Sequence, residues 1–227
     1  MSANVLLLKS GEELNNQQKA QFINIMFEAY KSKFQKHMGG EPDTIKKVLR
    51  LMIQMNLFPL ENRICAVDSD TKDVLGFILI SSFDDTSIVN LLKFVARLFS
   101  MVRFNKALKL IKAFLVLDSL NTKSKKTCIA DIYLIAVKEE HRDQGIGTIL
   151  MKAGLKNIME SFANENAKRK ISLIVYKDNP AVRLYQRFGF EVAETFNTIS
   201  LTNILGENFH THLLMHKNIQ NQTFILQ

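Results

Sequence analysis

The stretch that most constrains this chain runs from Ile132 to Gly147. Ile132-Tyr133-Leu134-Ile135-Ala136-Val137 is an unbroken apolar run, which predicts a buried strand. Arg142-Asp143-Gln144-Gly145-Ile146-Gly147 follows after a short charged link and opens onto a helical pattern. Its two glycines lack a Cβ and let the backbone come close to a ligand. The first turn of a helix carries N–H groups without intrahelical acceptors and the positive end of a dipole. Strand, glycine loop and helix start together predict a seat for a phosphate. Two owners of such a seat are excluded. No GxxxxGK[ST] run occurs, so this is not a P-loop. A dinucleotide fingerprint needs a third glycine where Leu150 stands, and an acid on the next strand, where Lys170 to Tyr176 has none.

The flanking pattern predicts an α/β chain. Val5 to Leu8 reads as a strand. Gln17 to Lys36 reads as a helix with Phe22, Ile25, Met26, Ala29 and Tyr30 on one face, broken by Gly39-Gly40. Glu41-Pro42-Asp43 starts a second helix reaching about Asn56, with Ile45, Val48, Leu49, Met52 and Ile53 inward. Arg63 to Asp68 and Val74 to Ser82 form a hairpin around Ser69 to Asp73. A strand from Cys128 to Val137 leads into the glycine loop and a helix from Gly145 to about Ala163. In that helix Ile146, Ile149, Leu150, Ala153, Ile158 and Phe162 line one side. Lys170 to Tyr176 is a strand, and Pro180 to Phe188 is a short helix stopped by Gly189. Phe190 to Thr195 and His212 to His216 are the last predicted strands, and Asn218 to Gln227 is expected to fray.

Downstream of the glycine loop stands Asp178-Asn179-Pro180-Ala181-Val182-Arg183-Leu184-Tyr185-Gln186-Arg187-Phe188-Gly189-Phe190. With the strand, the RxxGxG loop and this NPAVRLYQRFGF segment in order, the chain resembles the GNAT N-acetyltransferase superfamily, most clearly from Cys128 to Val192. The resemblance implies a GNAT fold: a mixed, mostly antiparallel sheet of six to seven strands flanked by helices, with residues 1–227 forming a single domain. It implies acetyl-CoA as co-substrate. Its pyrophosphate would lie on backbone donors of Gln144, Gly145, Ile146, Gly147 and Thr148, with Arg142 and Asp143 in the same loop. Its pantetheine arm would pair with the backbone of Ile135, Ala136 and Val137, where an N–H can stabilise an oxyanion.

Tyr185 matches the family tyrosine that protonates the departing thiolate. Its alternative, read from the residues alone, is a core tyrosine on an amphipathic helix beside Leu184 and Phe188. Asn179 stands where a cofactor-contacting asparagine often occurs, one position closer to the tyrosine than in many members. It is also a good helix cap ahead of Pro180. Asp131 matches a glutamate that serves some members as general base. Strand alternation would set it on the face of Tyr133, Ile135 and Val137. Its alternative is a charge at a strand edge. Glu139 and Glu140 read as solvated charges, and His37 as a residue that could face an acceptor.

The expected activity is acetyl transfer from acetyl-CoA to a primary amine by direct attack in a ternary complex. A non-catalytic acyl-CoA-binding or interaction module is the alternative. The acceptor, small molecule or protein, is not encoded in any motif. The formal charge of +8 suits an anionic partner such as CoA. No metal is expected, because His210, His212, His216, Cys65 and Cys128 show no ligand spacing and the thiols read as buried. No signal peptide and no spanning run is visible, so a cytoplasmic protein is expected.

Residues of about 86–119 form an insertion relative to this family. Ser87 to Leu117 is apolar, punctuated by Lys93, Arg97, Arg103, Lys106, Lys109 and Lys112, without an acid, and predicts one or two helices broken near Asn105. It must bury its apolar face. Capping the acceptor pocket of its own chain is favoured over a homodimer interface, and that over a membrane surface. Nucleic acid is not expected, since stacking aromatics are not interleaved with small polar residues.

Overall fold

The computed structural model describes residues 5–8, 14–38 (backbone only from 30), 42–55, 57, 62–81, 88–105, 107–108, 111, 127–161, 170–197 and 211–219. Gly39-Gly40, the loop 121–126, Lys106, Lys109, Lys112, Phe162, Ala163, His210 and 220–227 lie outside these residues, as do the side chains of Tyr30 and His37.

Among the described residues seven strands make one sheet: β1 (Val5–Leu8), β2 (Arg63–Asp68), β3 (Val74–Ser81), β4 (Ala130–Val137), β5 (Lys170–Tyr176), β6 (Glu191–Phe196) and β7 (His212–Asn218). Their order is β1-β2-β3-β4-β5-β7-β6. Every pairing is antiparallel except β4 with β5, which is parallel. A parallel pair needs a crossover, and α4 (Ile146–Ser161) supplies it. The other α-helices whose backbone is described in full are α1 (Asn16–Met38), α2 (Pro42–Gln54), α3 (Ile88–Met101) and α5 (Ala181–Arg187). The mixed, mostly antiparallel sheet is the one expected, and its count is seven.

Each face of the sheet has its own core. One face carries Ile64, Leu75, Ile78, Ile80, Ile132, Ile171 and Leu173 packed on Ile146, Leu150, Leu155 and Ile158 of α4 and Tyr185 of α5. The other carries Cys65, Val67, Phe77 and Leu79 packed on Phe22, Ile25 and Met26 of α1 and Ile45 and Leu49 of α2. Ala29, expected inward, is exposed, while Ile23 and Phe27 are buried. The α1 helix is covered on more than one side, so a single stripe under-read its burial. Both cysteines are buried free thiols, and burial pushes Cys65 up to about 11.

The insertion builds a third cluster. Phe94, Leu98 and Ala107 pack on Val48, Leu51 and Leu57. The α2 helix therefore shows apolar residues to the sheet and to α3. The break in the insertion lies at Val102–Arg103, just ahead of Asn105, and the chain resumes helical bonding with Ala107 N–H donating to Arg103 O at 3.0 Å. Among the described residues no helix is long and apolar enough to cross a membrane.

Candidate active site

The site is built where β4 leaves β5. Only Ala130, Asp131 and Ile132 pair with β5, opposite Ile171, Ser172 and Leu173. Beyond Ile132, β4 keeps its bonds to β3 through Leu134, Ile135, Ala136 and Val137 but has no pairing with β5. Backbone N–H and C=O groups need partners, so this free edge can take an extended ligand as an added strand.

A β-bulge marks the point of departure. Leu79 faces Leu134 and Ile80 faces Ile132, which leaves Tyr133 as an extra residue. A bulge bends its strand and increases its twist. It also resets the alternation of side chains. Ile132, Ile135 and Val137 pack with the α4 cluster, whereas Tyr133, Leu134 and Ala136 pack with the α1–α2 cluster. Asp131, next to Ile132, thus points to the face away from α4. The expectation that Asp131 shares a face with Ile135 and Val137 is corrected: the extra residue inverts the phase between them.

Asp131 is not a strand-edge charge. It is 4% exposed, and its Oδ1 accepts a 2.8 Å hydrogen bond from Ser172 Oγ across the parallel pair. Burial pushes its carboxyl up to about 7, with the Ser172 hydroxyl pulling in the opposite direction. The row continues, since Ser172 faces His216 on β7. His216 Nε2 is buried without a hydrogen-bond partner among the described residues, and burial, then Lys170, lower its pKa. Ser172 escaped the sequence reading. The signal was a hydroxyl in the otherwise apolar run Ile171 to Val175, but its partner depends on strand register.

The glycine loop rises from the end of β4 through a 3-10 turn at Glu139–His141. Arg142 Nε donates to Val137 O at 3.4 Å, and Gln144 Nε2 donates to Glu140 O at 3.1 Å. These bonds tie the loop back to the strand end. Asp143 and Gly145 take positive φ, 59° and 83°. Aspartate visits this region more readily than most residues, and glycine freely. A Cβ on Gly145 would meet nothing within 4 Å, so the loop faces open space. Gly145, Ile146 and Gly147 start α4, where N–H groups lack intrahelical acceptors. The Thr148 N–H already donates to Gly145 O at 2.9 Å.

Three motifs meet at Gly147. A Cβ there would lie 3.5 Å from Leu184 Cδ2 on α5 and 4.0 Å from Val137 Cγ2 on β4. Strand end, glycine loop and tyrosine helix thus share one corner. Tyr185 follows Leu184, is 7% exposed and sits in the α4-side core with an edge-on contact to Phe190 at 6.3 Å. Asn179 caps α5: its Oδ1 accepts from Ala181 N–H at 2.9 Å. Gly189, at φ 78°, ends that helix, and Lys217 Nζ donates to Phe188 O at 2.7 Å beside it. Gly76 was also missed. A Cβ there would stand 2.7 Å from Ala136 O, so only glycine lets β3 lie so close to the open half of β4. Among the described residues no group of His, Cys, Asp and Glu is gathered to hold a metal.

The chain is similar to known proteins in sequence and in fold. A mycothiol acetyltransferase of Corynebacterium aurimucosum is 38% identical over 65 residues, 28% of this chain and 20% of that relative. The chain thus spans about a fifth of that relative's length. In structure, a mosquito arylalkylamine N-acetyltransferase like 5b aligns over 95% of this chain and 100% of its own, with a TM-score of 0.59 and 12% identity. A NatC complex bound to Gag peptide and CoA contains a chain that aligns over 95% of this one and 99% of its own, with a TM-score of 0.51 and 12% identity. At such identities the likeness is one of fold. A model of the acetyltransferase (GNAT) family matches residues 23–190, well over half of the sequence, and the chain belongs to that family.

Proposed function

We propose that this protein transfers an acetyl group from acetyl-CoA to a primary amine, by direct attack within a ternary complex. The observation that carries the reading is the edge of β4 from Leu134 to Val137, unpaired with β5 and lying ahead of the Arg142–Gly147 loop. The residues fit acetyl-CoA. The N–H groups at the start of α4 suit a pyrophosphate, and the open edge of Ile135–Val137 suits the amide groups of a pantetheine arm. The thioester, once bound, supplies an activated acyl group.

The chain's own groups then divide the work by face. A backbone N–H of Ile135 to Val137 would stabilise the oxyanion formed when an amine attacks. Asp131, on the opposite face from α4, would take the amine's proton directly or through water. A base with a pKa near the working pH is well matched to that task. Tyr185, on the α4 side, would give a proton to the departing thiolate.

A second reading is binding of an acyl-CoA without transfer. It is favoured by one observation, the burial of Tyr185 within an apolar cluster. Thiol release from acetyl-CoA over a panel of primary amines tests the two. Amine-dependent release is expected. Tight cofactor binding without release for any amine would favour the binding module.

A further inference from the structure

Among its described residues the insertion has two apolar sides, and α2 packs on one of them. Phe94 and Leu98 are buried against it, at 4% and 0% exposure. Leu92, Ala96 and Phe99 recur at i, i+4 and i+7 and so form a second stripe on α3. Leu92 is 63% exposed and Phe99 36%. The stripe runs on past the helix end through Phe104, 66% exposed, whose ring stacks on that of Phe99 at 5.2 Å, and through Leu108. Large apolar side chains gathered in one exposed patch mark an interaction surface. Lys93 and Arg97, one turn apart, border the stripe, and Arg103 lies at its end; all three are exposed. No aspartate or glutamate occurs from 86 to 117.

We propose that this face docks on an anionic lipid surface, with Leu92, Phe99 and Phe104 at the headgroup–acyl boundary and Lys93, Arg97 and Arg103 on lipid phosphates. A stripe of Phe and Leu beside a column of cations is the pattern of an interfacial helix. The charge also argues against a second copy as occupant. A two-fold dimer sets one patch against itself, and here that would bring like cations together. The lipid reading is independent of acetyl transfer, because none of these residues belongs to the cofactor seat.

The test is co-sedimentation of the full chain with phosphatidylcholine vesicles, with and without phosphatidylserine. Binding at least tenfold tighter to the anionic vesicles is expected, weakening as salt rises. Lys93→Gln with Arg97→Gln and Arg103→Gln should cost about a hundredfold, at roughly fivefold per cation. Leu92→Glu with Phe104→Glu should abolish binding; both sites are exposed, and an unchanged melting curve controls for folding. Equal binding to neutral vesicles, or none to either kind, overturns the proposal. So does a dimer in sedimentation velocity that Phe104→Glu dissociates while vesicles stay unbound.

Discussion

The lower half of β4 is paired with β5 from Ala130 to Ile132, and its Asp131 and Ile132 are paired with β3 as well. The upper half, Leu134 to Val137, is bonded to β3, with no β5 partner. A carboxyl sits buried in the closed half and accepts a hydrogen bond from the hydroxyl of Ser172. In the open half the side chains are apolar and the backbone is what is on offer. One strand thus provides two different environments, a few residues apart. Where the sheet is closed, a titrating group is buried and its pKa can be shifted. Where it opens, main-chain groups lack a β5 partner and can be offered to a ligand, although the Val137 carbonyl also accepts from Arg142 Nε. The bulge at Tyr133 divides the two.

The sharpest way to break this comparison is to neutralise the closed half. Asp131→Asn should lower kcat by about a hundredfold to ten-thousandfold, the usual span for removing a general base. The same change should stabilise the fold in alkali. The folded pKa of about 7 lies above the unfolded value, so the neutral carboxyl favours the folded state below about pH 4. That contribution is lost as pH rises toward about 7. At pH 8 the asparagine variant should therefore gain about 2–4 kcal/mol, read by urea unfolding. A variant that loses both activity and stability would show Asp131 to be structural.

Next in size is Tyr185→Phe, on the other side of the strand. It should reduce kcat by about a hundredfold while leaving acetyl-CoA affinity unchanged, as measured by calorimetry. Full turnover would return Tyr185 to the core. Gly145→Ala strains a residue held at φ 83° without making a clash. A left-handed alanine costs about 1–2 kcal/mol, so KM for acetyl-CoA should rise about tenfold with kcat little changed. An unaltered KM would separate the loop from cofactor binding.

The smallest effect concerns the tuning of the carboxyl. In the wild type, kcat/KM should rise tenfold per pH unit below about 7 and level off above it, as Asp131 loses its proton. The Ser172 hydroxyl lowers the Asp131 pKa, so Ser172→Ala should move that limb upward, by about one unit at most. A limb that stays in place would sever the link between the two residues.

Local pattern was enough for much of the fold. Arg63–Asp68 and Lys170–Tyr176 fall where their apolar runs predict. Asn179 caps the short helix, as Asn before Pro suggests, and Gly189 ends it. These features depend on neighbours in sequence. The partners of α2 were not legible in the same way. Its apolar positions show that it is buried, but the division between Ile45 and Leu49 toward the sheet and Val48 and Leu51 toward α3 depends on where a distant insertion lands.

The sequence by itself determined the order of elements, the glycine loop at the start of α4 and the tyrosine helix that follows β5, because each is written in short-range spacing. Tertiary structure alone decided which face Asp131 occupies, that Ser172 bonds to it, and that the strand, loop and helix motifs meet at Gly147. The physical reason is register. One extra residue at Tyr133 inverts the alternation along β4, and pairing between separate strands selects which side chains meet.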